Sequence, residues 1–137
     1  MTPRAFVDTN VLVYALDDGE PVKRDQAREL LGDAGSSLVI SAQVIGEFYV
    51  VIRRKLSKSL SEDEAAARVD ELLRMPVVAI DSELTRAAVA TSRSACISYW
   101  DALIVEAAAS ARCELLLTED LSDGAEIGSV RIRNPFA

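Results

Sequence analysis

Four carboxylates in this chain stand at positions where an acid is costly unless it has something to hold. Asp8 ends the apolar run Ala5-Phe6-Val7, and Asp120 follows Leu115-Leu116-Leu117-Thr118. Asp101 comes three residues after Ser98 at the start of an apolar helical stretch, and Glu47 lies between Val44 and Val51 in a segment with almost no polar side. A buried carboxylate without a partner is strongly unfavourable, so Glu47 calls for a cation, a metal ion or a proton. If the four meet, they cannot all stay ionised unaided: two unit charges about 4 Å apart at an effective dielectric near 20 repel by roughly 4 kcal/mol. Either some remain protonated or divalent cations enter. The chain has no histidine. Ser-His-Asp and Cys-His catalysis, imidazole acid–base chemistry and His-ligated zinc are thereby excluded. Hard, all-oxygen donors select Mg²⁺ or Mn²⁺, and metal-dependent phosphodiester hydrolysis is the reaction class that best suits this inventory.

Each acid also has a plainer reading. Asp8 or Thr9 can cap the helix that follows, Asp101 at the third helical position gains from the helix dipole, and Asp123-Gly124 can be a turn. Glu47 can pair with a basic residue of another segment.

The elements that would position these acids alternate between strand and helix. Ala5-Phe6-Val7 reads as a central parallel strand, continuous in apolar character because both faces are covered. A short helix over 9–16 ends at Asp17-Asp18-Gly19. A second opens at Glu20-Pro21 and runs to Gly32, with Gly35 as a further stop. Leu38-Val39-Ile40 is the second strand. Ser41 caps a helix through Leu56 whose apolar residues predict that it is largely buried. Ser61 to Glu64 is a capping box, and Val77-Val78-Ala79-Ile80 is the third strand, with Asp81 capping the next helix. Trp100, Leu103, Ile104, Ala107, Ala108 and Ala111 form one apolar stripe of a further helix. Strand four, ending at Leu117, delivers Thr118, Asp120 and Asp123 to the edge that receives Asp8, beyond the carboxyl ends of the strands. Val130-Arg131-Ile132-Arg133 alternates like a half-exposed edge strand.

The 137 residues suit one α/β domain over residues 1–137, with no repeats or linkers. No uncharged apolar stretch approaches the length of a membrane span, and no basic segment precedes an apolar one at the N-terminus, so a cytoplasmic protein is expected. Cys96 and Cys113 read as reduced core residues. The glycines form neither a Walker A loop nor a G-x-G-x-x-G motif. The net charge of −7, from 15 basic and 22 acidic residues, opposes a polyanionic partner. That objection weakens if several carboxylates are gathered round bound cations. The basic residues cluster in Lys23-Arg24, in Arg53-Arg54-Lys55 with Lys58, and in Arg131 with Arg133.

Phe6-Val7-Asp8-Thr9-Asn10-Val11-Leu12-Val13-Tyr14, Ser41 to Glu47-Phe48, Tyr99-Trp100-Asp101-Ala102-Leu103-Ile104-Val105 and Leu117-Thr118-Glu119-Asp120-Leu121 together resemble the PIN-domain family, most closely its VapC-type ribonuclease toxins. Each motif alone is weak, but the four in this order and spacing are specific, and the resemblance covers essentially the whole chain. It implies a three-layer α/β/α fold with a short, mainly parallel sheet. It further implies Mg²⁺- or Mn²⁺-dependent endoribonuclease activity on RNA, a homodimer, and inhibition by a cognate antitoxin that inserts a basic side chain into the acidic pocket. The metal ligands would fall on Asp8 and Asp101, with Glu47 and Asp120 completing the pocket and Asn10 and Thr118 orienting the acids. Family members place the last acid variously, so Asp120 and Asp123 both remain candidates. The pair Glu119-Asp120 is a departure that would make the pocket more acidic. Two alternatives remain open: a non-catalytic domain of this type that only binds nucleic acid or a partner, and an aspartyl-phosphate phosphatase of the haloacid dehalogenase-like type. The second needs an Asp two residues after the first, where this chain has Asn10.

Overall fold

In the computed structural model, which describes residues 3–34 and 37–137, Ala5–Val7 forms strand β1, buried at every position. It is followed by α1 (Thr9–Tyr14), α2 (Pro21–Ala34), β2 (Leu38–Ser41), α3 (Ala42–Lys55), α4 (Glu62–Leu72) and β3 (Val77–Val78). The second half holds α5 (Ser82–Ala95), α6 (Tyr99–Ser110), β4 (Leu115–Leu117), β5 (Glu126–Ile127) and β6 (Val130–Arg133). The strands form one sheet in the order β3-β2-β1-β4-β6-β5. All neighbours run parallel except β5 against β6.

This order determines where a site can form. The chain steps from β1 outward to β2 and β3, then returns across β1 to lay β4 on its other side, with Val7 opposite Leu117. Right-handed crossovers put α1 to α4 on one face and α5 with α6 on the other, giving three layers. The contacts agree: α1 packs on α2 and α3, while α6 packs on α5, β2, β4 and β6. β1 and β4 end side by side where the order of the strands reverses, which opens a crevice at their carboxyl ends. Phe6, Ile40, Leu116, Leu117 and Ile132 from the strands and Leu103 and Ile52 from the helices fill the core between the layers.

Local chemistry sets the helix starts. Ser41 Oγ accepts from Val44 N–H, Ser61 and Glu64 form the reciprocal capping box, Asp81 accepts from Leu84 N–H, and Ser98 accepts from Asp101 N–H. Four helices are thus closed at their first turn by the residue types that do this best.

Several expectations need correction. α1 stops at Tyr14 and β3 is two residues long, whereas α2 continues past Gly32 to Ala34; Gly35 lies outside the described residues. Val130–Arg133 is not an edge, because β5 pairs beyond it through the two-residue turn Gly128-Ser129, with Gly128 at φ 59°. α3 is buried only through Val44, Ile45, Phe48 and Ile52. Its other side is open, and Val50 is 59% exposed. Trp100 is not part of the α6 core stripe: it stands at the first turn, 61% exposed, edge-on to Tyr99. α6 is instead buried almost all round through Ala102 to Val105, Ala107 and Ala108. Cys113 is buried as expected, but Cys96 is exposed at the end of α5 in a left-handed conformation, φ 56°.

Candidate active site

At the carboxyl ends of β1 and β4 three of the four carboxylates, Asp8, Glu47 and Asp120, come together over a cavity of about 710 Å³. Asp8 leaves β1 and caps α1, only 5% exposed. Its Oδ1 accepts from Thr9 N–H at 2.7 Å and its Oδ2 from the Thr118 hydroxyl at 2.8 Å. The capping reading is therefore half of what Asp8 does. The Thr118 oxygen also accepts the Asp120 N–H at 3.1 Å, so one buried hydroxyl ties the β1 acid to the β4 acid. The Asn10 amide donates to Asp120 Oδ2 at 3.0 Å and lies 3.5 Å from Thr118 Oγ1.

Glu47 reaches the same cavity from α3. Its Oε2 accepts from the Thr9 hydroxyl at 3.1 Å and its Oε1 from the Gln43 amide, one turn earlier, at 2.9 Å. No basic side chain pairs with it among the described residues. Thr9 and Gln43 were not singled out from the sequence. The signal for Gln43 is its spacing of four from Glu47 on a helix, whereas the bond from Thr9 crosses elements and leaves no local trace.

The acids feel one another. The Asp8 carboxyl is pushed up to about 6, first by burial, against the Thr118 and Thr9 hydrogen bonds, and then by the charges of Asp120 and Glu47. Asp120 stands toward the open side of the cavity. It is also raised, first by desolvation and next by the charge of Asp101, with the Asn10 hydrogen bond opposing and Glu119 and Glu47 adding to the rise. Asp101 does not line the cavity itself. It sits in the first turn of α6, where its N–H is capped by Ser98 at 3.0 Å, and no partner for its carboxylate is found among the described residues. Asp123 lies apart: its Oδ1 accepts from Asn134 N–H at 2.8 Å and closes a loop.

The pair Glu119-Asp120 is not the doubled acid expected. Glu119 carries its own cation, with Lys23 Nζ at 3.2 Å from Oε2 and the Tyr14 hydroxyl donating to Oε1 at 2.7 Å. Lys23 also lies 4.7 Å above the Tyr14 ring, which meets Phe136 edge-on at 5.0 Å. α1, α2, the segment after β4 and the C-terminal segment are clasped together one residue from Asp120.

The donor set fits a hard divalent cation. Every side chain offered is an oxygen donor, and two buried acceptors among them, Asn10 Oδ1 and Gln43 Oε1, have no hydrogen-bond partner. Both belong to amides that donate to the acids, so a donor for these oxygens, such as a water of an ion's shell, would complete their hydrogen bonding. Among the described residues no three acids, thiols or imidazoles close round a single point. Mg²⁺ suits such a site, since it keeps several waters and takes one or two carboxylates.

Comparison with known proteins follows the same lines. The PIN domain family model matches residues 5–122. No curated protein sequence matches the chain. A toxin–antitoxin complex from Klebsiella pneumoniae superposes with a TM-score of 0.72 at 22% identity over 96% of this chain and 97% of that one. VapC20 from Mycobacterium tuberculosis, described as a Sarcin-Ricin loop cleaving toxin, gives 0.72 at 18% identity, covering 93% and 98%. DNA-bound VapBC from Salmonella typhimurium gives 0.71 at 20%, covering 97% and 98%. At these identities the likeness is one of fold.

Proposed function

The chain belongs to the PIN domain family, and on that premise we propose that it is a Mg²⁺- or Mn²⁺-dependent endoribonuclease, the toxin of a toxin–antitoxin pair. The observation that carries this reading is the convergence of Asp8, Glu47 and Asp120, from three separate stretches of chain, on one cavity, with Asp101 near enough for its charge to raise Asp120. Of Asp8, Asp101 and Asp120, one or two would bind the ion directly, and water would complete its shell. When bound, it would lower the pKa of a water and offset the charge gathering on the phosphate.

The chain's own residues have distinct tasks. Thr118 fixes Asp8 and the Asp120 backbone with one hydroxyl. Asn10 turns the Asp120 carboxylate. Glu47, with both oxygens oriented by Thr9 and Gln43, is the acceptor placed to take the proton of an attacking water. Asp123 has its carboxylate engaged in loop closure, so Asp120 is the last acid in this proposal.

One of the structures sharing this fold is described as a toxin–antitoxin complex and another as DNA-bound VapBC. The proposal accordingly includes a cognate antitoxin whose basic side chain enters the acidic cavity by charge complementarity, and a homodimer of this chain. No helix among the described residues is long and apolar enough to cross a membrane. RNA cleavage by the wild type and by Asp101→Asn, each with Mg²⁺, Mn²⁺ or chelator, tests the assignment. Activity should need the metal and fall by more than about a hundredfold in the variant. Cleavage that persists in chelator or in Asp101→Asn would remove it.

A further inference from the structure

The open side of α3 is unexplained by the acid cluster. Gly46-Val50-Arg54 and Glu47-Val51-Lys55 are two rows at spacings of four, so they lie side by side on one helical face, and all six residues line the cavity. That face passes from acid through apolar to basic over two turns, roughly 10 Å.

Two details resist a purely structural account. Gly46 sits inside a helix, where glycine is unfavourable relative to alanine. Yet a Cβ built there meets nothing within 4 Å, so no packing within the described chain requires its absence. The bare backbone leaves room for something from outside. Second, Arg54 and Lys55 are exposed and make no ion pair with the described residues, although the net charge is −7. Their neighbour Arg53 does pair, with Glu62 at 3.8 Å. A favourable interaction with the end of the helix dipole accounts for basic residues in the last turn; it does not account for these two facing the cavity that holds the acids.

We infer that α3 is the track for the sugar–phosphate backbone of single-stranded RNA, which passes close over Gly46 and Val50 and places a phosphate between Arg54 and Lys55. That phosphate lies one to two nucleotides from the bond presented to Glu47 and Asp8. The inference rests on the ribonuclease reading and adds the direction of the strand and the residues that grip it. Two cations without an ion pair among the described residues, beside a crowded acid cluster, also answer the charge objection locally, because they attract phosphate.

The test uses fluorescence anisotropy with a labelled, single-stranded RNA of mixed sequence and Mg²⁺, in the full chain carrying Asp101→Asn so that the strand is not cut. Adding Arg54→Gln or Lys55→Gln should weaken binding roughly tenfold, as for one lost charge-assisted contact. Each should also flatten the dependence of log affinity on log salt by about 0.7. Gly46→Ala should bind RNA severalfold more weakly while its melting temperature stays equal or rises, a combination that damage to the fold cannot produce. Arg86→Gln, the same charge change on α5 outside the cavity, should leave affinity unchanged. In otherwise wild-type protein, Arg54→Gln should raise KM with little change in kcat. If the parent binds RNA and the α3 variants bind it equally well, the track is wrong while the ribonuclease reading stands. If the α3 changes instead weaken only capture of a protein partner, the track is likewise wrong. If the parent binds no RNA at all, the ribonuclease reading falls and takes the track with it.

Discussion

Burial holds the Asp8 carboxyl at about 6, whereas an unfolded aspartate has a pKa near 3.8. Between those values unfolding releases a proton, so raising the pH favours the unfolded chain. By pH 7 the ionised group costs the metal-free fold about 3 kcal/mol. Denaturant melts in chelator should therefore show stability falling from pH 4 to pH 6.5 and levelling off above. Asp8→Asn should flatten that slope to the part that the raised Asp120 contributes, and should stabilise the metal-free protein at pH 7.5 while abolishing RNA cleavage. Added Mn²⁺ should raise the wild-type melting temperature more at pH 7.5 than at pH 5, since it favours the ionised carboxylate. Thr118→Val tests the buried hydroxyl that joins Asp8 to Asp120. It leaves an acceptor and a backbone donor unpaired, and should cost about 2 kcal/mol and at least tenfold in cleavage. The placing of Asp8 and Asp120 at one cavity was legible in the sequence because each follows an apolar strand, and that of Glu47 because it stands in an apolar helix; Asp101, at a helix start, lies outside the cavity lining. The contact of Thr9 was not legible, since a hydroxyl suits a helix start whether or not it also reaches Glu47.

At the scale of elements, what could be read depended on whether the signal is local. Ser41, Ser61, Asp81 and Ser98 announce their helices through bonds spanning three residues, and all four bonds form. β5 escaped because two residues carry no periodicity, although Gly128-Ser129 between Ile127 and Val130 is a hairpin turn signal. The burial expected of α3 and Trp100 failed for a different reason: an apolar stripe cannot say whether chain, ligand or water lies opposite. The clasp of Lys23, Tyr14 and Glu119 joins positions about a hundred residues apart and was equally invisible. Cys96 ends α5 at φ 56°, a conformation in which a side chain is strained and glycine is not. Cys96→Gly should raise stability by about 0.5–1 kcal/mol in thermal melts, with cleavage unchanged.

For the whole molecule, the decisive feature is that the first strand pairs with the fourth, more than a hundred residues further along the chain. Ala5 to Val7 pair with Leu115 to Leu117, and the hydroxyl that fixes Asp8 comes from Thr118. Pairings of such wide sequence separation form late, after the loop-closure entropy has been overcome. A ribosome translating this message thus carries, until more than a hundred codons have been read, a chain in which Asp8 lacks the Thr118 hydroxyl that steadies its Oδ2. Nascent fragments halted before β4 should be inert toward RNA, a property measurable with stalled complexes. The pocket of Asp8, Glu47 and Asp120 can therefore close only once Thr118 has been added to the chain.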